Sequence, residues 1–167
     1  EIADEQMYKN KLTEKKHAKE KIIKALLTKL EEATAETTDH AWRLQKLAFK
    51  LGEAIGLSTH QLDKLSLIAA LHDIGKVTIE QELLTKSESL TDDDWSTVQE
   101  HAKAGFRIVS AAGEFAHVAN EILYHHEAWD GSGYPEGLKA DQIPILSRII
   151  NIVDAYDVMT NGRPYQS

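Results

Sequence analysis

Eight histidines stand in this 167-residue chain, and five of them neighbour an acid or one another. His72 and Asp73 close an apolar helical run, so an imidazole and a carboxylate can reach one metal ion together or bridge two. Taken alone, the pair also fits a helix C-terminus with a dipole-favoured histidine and a capping aspartate. His125 and His126 are adjacent. On a helix their side chains diverge by about 100°, which suits two neighbouring ions better than one; alone, they also read as two surface histidines. Glu36 and His40 are four apart and share one helical face if the helix already includes Glu36, as two ligands of one ion or as an ordinary exposed pair. His101 and Asp154 are single candidates. Asp154 interrupts the apolar stretch 149–153, and a buried carboxylate must be paired, neutralised or metal-bound. Arg148 is the rival partner for it. His17, His60 and His117 lack such context and read as ordinary surface or core histidines.

The chain has no cysteine, so thiolate sites and disulfides are excluded. A site of His, Asp and Glu favours harder ions such as iron or manganese over zinc. The formal net charge is -8, which argues against long duplex nucleic acid as a partner, because that partner requires a basic face. A small anion stays open if bound cations reverse the local sign. No apolar run reaches the ~20 residues of a membrane span, and no signal peptide opens the chain. A cytoplasmic setting suits this composition, and a start at Glu1 reads as a segment of a longer protein.

The elements that must position these residues read as helices. Pro occurs only at 135, 144 and 164, and Gly is sparse before 105. Residues 3–34 are good helix formers with an apolar stripe of Ile22, Ile23, Leu26, Leu27 and Leu30. The spacing 23, 26, 30 fits either a short coiled-coil seam, hence a homodimer through the N-terminal helix, or a helix packed on its own domain. A second helix is expected from Thr38 to Ile55, with Leu44, Leu47, Ala48, Leu51 and Ile55 inward and Gly56 as its stop. Ser58 and Gln61 form a capping box for the next helix, which carries Leu62, Leu65, Ile68, Ala69 and Leu71 into His72. Thr91 before three aspartates starts another. A further helix is expected over Glu114 to His126. Residues 130–135 read as a loop, with Gly131 and Gly133 free to adopt torsions closed to other residues. Ile145 to Met159 is apolar nearly all round, so a buried central helix is expected there. No strand signal stands out, and the fold class is all-α.

In order, the chemistry-bearing residues are Glu36, His40, His72, Asp73, His101, His125, His126 and Asp154. HDIGK at 72–76 followed by HHEAWDGSGYP at 125–135 resembles the HD-GYP branch of the HD phosphohydrolase superfamily. The segments LHDIGK, DGSGYPEGL, IPILSRIINIVDAYDVMT and RPY all fit, over about residues 36–165. The resemblance implies a helical bundle with two or three divalent ions between its helices. It also implies a metal-dependent phosphodiesterase that hydrolyses cyclic di-GMP to the linear dinucleotide or GMP, with a hydroxide bridging the ions as nucleophile. By that resemblance His72, Asp73, His101, His125, His126 and Asp154 are metal ligands, His40 is the upstream ligand, and Glu36 is the carboxylate of a third ion. Asp73 and Lys76 are the catalytic pair, with Lys76 on a substrate phosphate. Gly133, Tyr134 and Pro135 form the signature loop, with Tyr134 either stacked on a guanine, set against a partner domain, or packed in the fold. Arg163 is a basic residue near the substrate. Two rival functions share these motifs: hydrolysis of cyclic GMP-AMP or another nucleotide, and a non-enzymatic module that binds nucleotide or a GGDEF partner.

IADEQMYKNKL at 2–12 resembles the end of the last helix of a GGDEF domain. The organisation implied is a GGDEF-like helix end and a long signalling linker helix over 1–34, then an HD-GYP domain over 35–167. Members of that family continue for several helices past RPY, so the resemblance implies a domain truncated at its C-terminal side.

Overall fold

The computed structural model describes residues 17, 20–34 and 38–161. Glu36, Arg163, the RPY segment and the GGDEF-like stretch 2–12 lie outside the described residues. Within them the chain is all-α, with no strand. Helix α1 covers 20–33. It is followed by α2 (Thr38–Ala54), α3 (Thr59–Leu71), a 3-10 turn (Ile74–Thr78), α4 (Gln81–Leu84) and α5 (Asp92–Ala111). A second 3-10 turn (Gly113–Val118) leads into α6 (Ala119–Leu123), and a third (Ala140–Gln142) precedes α7 (Ile145–Asn161).

Helix α3 is the axis of the bundle. Leu65, Ile68, Ala69 and Leu71 are fully enclosed on it, and full burial of such a leucine or isoleucine contributes about 1.5–3 kcal/mol. Helices α2, α6 and α7 pack against it, and α5 packs on the turn that follows it. The expected capping box at Ser58 is present, and Thr91, expected to start a helix, does so with a second one. Ser58 caps α3, accepting from the Gln61 amide while Gln61 Oε1 accepts from the Ser58 amide at 3.0 Å. Thr91 and Asp94 do the same for α5, and Lys86 holds Asp94 at 2.6 Å. These caps satisfy amides that the first helical turn leaves without partners.

Three expectations change, and one open choice closes. Ile55 is 52% exposed rather than inward, because α2 stops at Ala54 and Gly56 turns the chain away at φ +79°; Leu57 packs against the core instead. The helix expected over 114–126 is a 3-10 turn followed by the five-residue α6, so His125 and His126 lie in a turn beyond its end. Helix α7 is amphipathic rather than buried all round. Leu146, Ile149, Ile150 and Val153 face the core, while Ile152, Tyr156 and Met159 are 53–78% exposed. Of the two readings of α1, packing on its own domain is the one observed: Leu30 is buried, and Ile23 and Leu26 lie against the core.

Candidate metal centre

The first donor set is assembled from three elements. Asp73 begins the turn after α3, His101 sits mid-α5, and His125 and His126 follow α6. One donor atom from each lies within 4.8 Å of the others. The turn after α6 makes the set workable. Freed from helical spacing, the His125 and His126 rings stand 3.9 Å apart at 44° and serve the same set. Helix α7 pins this turn, as Asn151 Nδ2 donates to the His125 carbonyl at 2.9 Å and Ser147 Oγ to the Glu121 carbonyl at 3.0 Å.

The second set is His40, His72 and Asp73, again within 4.8 Å. Asp73 belongs to both. Its Oδ1 is 3.4 Å from His101 Nε2 and 3.9 Å from His125 Nε2. Its Oδ2 is 3.2 Å from His72 Nε2 and 2.7 Å from Lys76 Nζ. Each carboxylate oxygen thus addresses one set. Asp154 joins the His40 side, its Oδ1 at 3.4 Å from His40 Nε2. Arg148 is not its partner: that guanidinium pairs with Asp141 at 3.1 Å and lies over the Trp129 ring. His17, His60 and His117 are exposed, the surface alternative of their two readings.

Tautomers decide whether these donors fit a cation. His72 Nδ1 faces the Ala69 carbonyl at 3.1 Å, His101 Nδ1 the Val98 carbonyl at 2.7 Å, and His125 Nδ1 the Ile122 carbonyl at 2.6 Å. A carbonyl only accepts, so each Nδ1 carries a proton and each Nε2 faces inward. Burial lowers the basicity of His101 and His126 and, with His72 and His101 nearby, pushes His125 down to about 3, so these rings are neutral. The His101 and His125 Nε2 atoms then stand 3.5 Å apart as two acceptors facing one another. The buried Asp73 Oδ1 between them receives no hydrogen bond. Burial acts to raise the Asp73 carboxyl, but the groups around it, Lys76 foremost, outweigh it and hold it well below the usual range. Lone pairs that converge with no proton to share could hold a cation.

The signature loop stands at the rim. Gly131 has φ +83°, as its role requires. Gly133 is needed for a different reason: a Cβ there would sit 2.2 Å from the Ala128 amide and 2.4 Å from the His126 carbonyl. Tyr134 stacks on His126, centroids 4.8 Å apart at 26°, and meets the edge of Trp95 at 6.4 Å. Two acids went unmarked in the sequence. Buried Glu127 accepts from the amides of Glu136 at 2.8 Å and Leu138 at 2.9 Å, which fastens the loop beside the histidines. Buried Asp157 faces His40 and Arg43. Each could have been suspected from its place, Glu127 directly after His126 and Asp157 one turn after Asp154.

Comparison with known proteins bears on the fold and the family. The HD domain family matches residues 7–167. A cyclic di-GMP phosphodiesterase of Thermotoga maritima is 39% identical over 134 residues, 79% of this chain and 36% of that protein. A 3'3'-cGAMP-specific phosphodiesterase 2 of Vibrio cholerae is 33% identical over 159 residues, 94% of this chain and 30% of that protein. The chain thus spans about a third of the length of these relatives. Among solved structures, the HDG"Y"P protein Bd1817 of Bdellovibrio bacteriovorus superposes with a TM-score of 0.63 at 25% identity, covering 76% of this chain and 41% of that one. With the matched span reaching across both donor sets, the chain belongs to the HD domain family.

Proposed function

We propose that this chain is the catalytic domain of a metal-dependent phosphodiesterase of the HD-GYP branch, acting on cyclic di-GMP and yielding linear pGpG, GMP or both. The observation that carries the reading is Asp73, which divides its two oxygens between two sets of inward-facing imidazoles with Lys76 alongside. His101, His125 and His126 would hold one ion with Asp73. His40, His72 and Asp154 would hold a second, and Glu36 would add a third. Iron or manganese suits this set of nitrogen and carboxylate donors. Bound ions would supply Lewis acidity toward phosphate and a water activated near neutral pH.

The chain's own residues supply the rest. The Lys76 ammonium, held at 2.7 Å by Asp73, donates to a non-bridging phosphate oxygen and steadies the added negative charge. Tyr134 offers an aromatic surface for a guanine at the rim, and Arg163 a second cation for the substrate. Hydrolysis adds the oxygen of water to phosphorus and breaks one phosphorus–oxygen ester bond; one proton of the water ends on the departing hydroxyl and the other on the new phosphomonoester or in solvent. The names of the relatives support the substrate class, and the cGAMP-specific relative favours cyclic GMP-AMP as the second substrate to assay.

We extend the reading to organisation. Residues 1–34 are a GGDEF-like helix end and signalling helix, residues 35–167 the HD-GYP domain, GGDEF domains are partners, and the protein works in the cytoplasm. No helix among the described residues is long and apolar enough to cross a membrane. Since Ile23, Leu26 and Leu30 pack inward, a homodimer through α1 uses the exposed edge of that stripe, where Ile22 is 42% exposed. Sedimentation of Ile22→Glu against wild type reports on that dimer.

The test is product analysis of manganese- or iron-loaded protein given cyclic di-GMP, beside Asp73→Ala. Linear dinucleotide or GMP from wild type alone is expected. Full activity in Asp73→Ala would overturn the shared-ligand role, and turnover of cyclic GMP-AMP only would replace the substrate. No turnover of either by metal-loaded wild type would leave a nucleotide-binding module.

A further inference from the structure

His72, His101 and His125 are each oriented by a carbonyl three residues earlier on their own segment. His40 is oriented differently. Its Nδ1 lies 2.8 Å from Oδ2 of Asp157, on the far helix α7. Asp157 is buried at 1% exposure and is itself held from three directions. Arg43 donates Nε to Oδ1 at 2.8 Å and an Nη2 to Oδ2 at 2.9 Å, and Asn161 Nδ2 donates to Oδ1 at 2.9 Å.

The arrangement follows from helical spacing. His40 and Arg43 are one turn apart on α2, and Asp154, Asp157 and Asn161 lie one turn apart on α7, so the two faces interlock. His40 stands between two carboxylates, Nδ1 on Asp157 and Nε2 at 3.4 Å from Asp154. Opposite a bidentate guanidinium, Asp157 is a carboxylate and can only accept. His40 must therefore carry its proton at Nδ1 and present Nε2 to the second donor set. With both oxygens already engaged by Arg43, His40 and Asn161, Asp157 serves the ring and not an ion.

Resting on the metal reading above, we propose that Asp157, clamped by Arg43, is the positioning residue for His40, and that it governs ion binding at the His40–His72 side without touching the Asp73–His101–His125–His126 side. A carboxylate that fixes the tautomer and plane of a ligating imidazole typically changes metal affinity by roughly 10–100-fold. That effect is confined here to one of two adjoining subsites. The hydrogen-bonding side chains described for the Asp157 carboxylate are His40, Arg43 and Asn161, none of them in the first donor set.

Two measurements separate this idea from the metal reading beneath it. Long-range proton–nitrogen NMR of histidine rings, on chelator-treated protein, reads tautomers with no metal present. Wild type is expected to show His40 protonated at Nδ1. Asp157→Ala is expected to move His40 toward the Nε2–H tautomer while His101 and His125 stay unchanged. A wild-type His40 protonated at Nε2 overturns the positioning role whatever the metal does. The second measurement is a manganese titration by calorimetry with bound metal counted by mass spectrometry. Asp157→Ala should weaken one site roughly 10–100-fold and leave the other at wild-type affinity. Arg43→Gln, altered at a half-exposed position, should weaken the same site to a smaller degree and serves where Asp157→Ala folds poorly. Equal weakening of both sites, or of neither, overturns the proposal. Failure of wild type to bind any manganese or iron defeats the metal reading instead, and the tautomer result stands apart from it.

Discussion

Gly75→Ala probes how the bundle brings Asp73 against His101. Gly75 has an ordinary backbone conformation, but a Cβ there would stand 1.9 Å from the His101 carbonyl oxygen, 2.5 Å from the Gly105 amide nitrogen and 2.8 Å from the His101 carbonyl carbon. All three are backbone atoms, so no rotamer relieves the contact. To reach even 3.0 Å the turn and α5 must part by about 1 Å, in an interior packed too densely to absorb it. Overpacking commonly costs about 1–3 kcal/mol, and a backbone-on-backbone clash belongs at or above the upper end. Asp73 rides on the turn and His101 on α5, with Oδ1 and Nε2 now 3.4 Å apart. A displacement of ~1 Å in reacting geometry costs roughly 100-fold in rate. Gly105→Ala is the control on the same interface. Its Cβ meets the Ile122 Cγ2 methyl at 3.1 Å and the Gly75 nitrogen at 3.5 Å, so a side chain can yield and the loss should be about 1 kcal/mol. Urea melts of chelated protein, manganese stoichiometry and cyclic di-GMP turnover measure the three consequences. Gly75→Ala with wild-type stability and a full metal complement would refute the idea that this close approach sets the centre.

Stability without metal should fall with pH. His125 is pushed down to about 3 by burial and by its histidine neighbours, while the unfolded ring takes a proton below ~6.5. Stability is therefore complete above 6.5 and is lost as pH falls toward 3, at about 1.4 kcal/mol per pH unit for each such ring. His101 and His126 are shifted the same way. Urea midpoints of chelated protein that stay level between pH 7 and 5 would contradict neutral buried rings. Glu127→Gln leaves one loop amide facing an NH2 group, at a cost of about 1–3 kcal/mol. It should raise KM by loosening Tyr134 while metal content holds, and loss of metal would show that Glu127 acts on the histidines. Lys76→Ala should lower kcat with metal retained, since Asp73 then lacks its ammonium partner and needs a cation more; metal loss would make Lys76 structural.

The local signals were legible because local chemistry decides them. Ser58 and Thr91 cap helices through atoms three residues away, so four-residue strings suffice. HDIGK and the His125–His126 pair pointed to gathered imidazoles and carboxylates only through the family resemblance, and not to how they meet. His125 and His126 converge because α6 ends at Leu123, and no residue around them forces that stop: Asn151 and Ser147 of α7 hold the turn from 26 residues away. Asp157 stayed hidden for a similar reason, since its partners on α2 are visible only once α2 and α7 are packed. The apolar run of α7 counted residues and not neighbours. Ile152, Tyr156 and Met159 fall on the side that no described element covers.

Charge explains why such a site must work through cations. The chain is acidic, at -8, and the residues around the two donor sets are no exception. Asp73, Asp154 and Asp157 supply three negative charges there, Lys76 and Arg43 two positive ones, and the Arg43 guanidinium is already committed to Asp157. With neutral imidazoles the bare site carries a net charge of about -1, which repels a dianionic cyclic dinucleotide. Two divalent ions would turn that to about +3. The same conversion makes affinity for a phosphate diester depend on both ions being held, so the subsite under Asp157's control bears on substrate binding as well as on chemistry. A variant that keeps one ion, such as Asp157→Ala, should therefore show a raised KM for cyclic di-GMP that excess manganese restores. A KM indifferent to manganese concentration would place the substrate's charges against Lys76 and other protein cations instead.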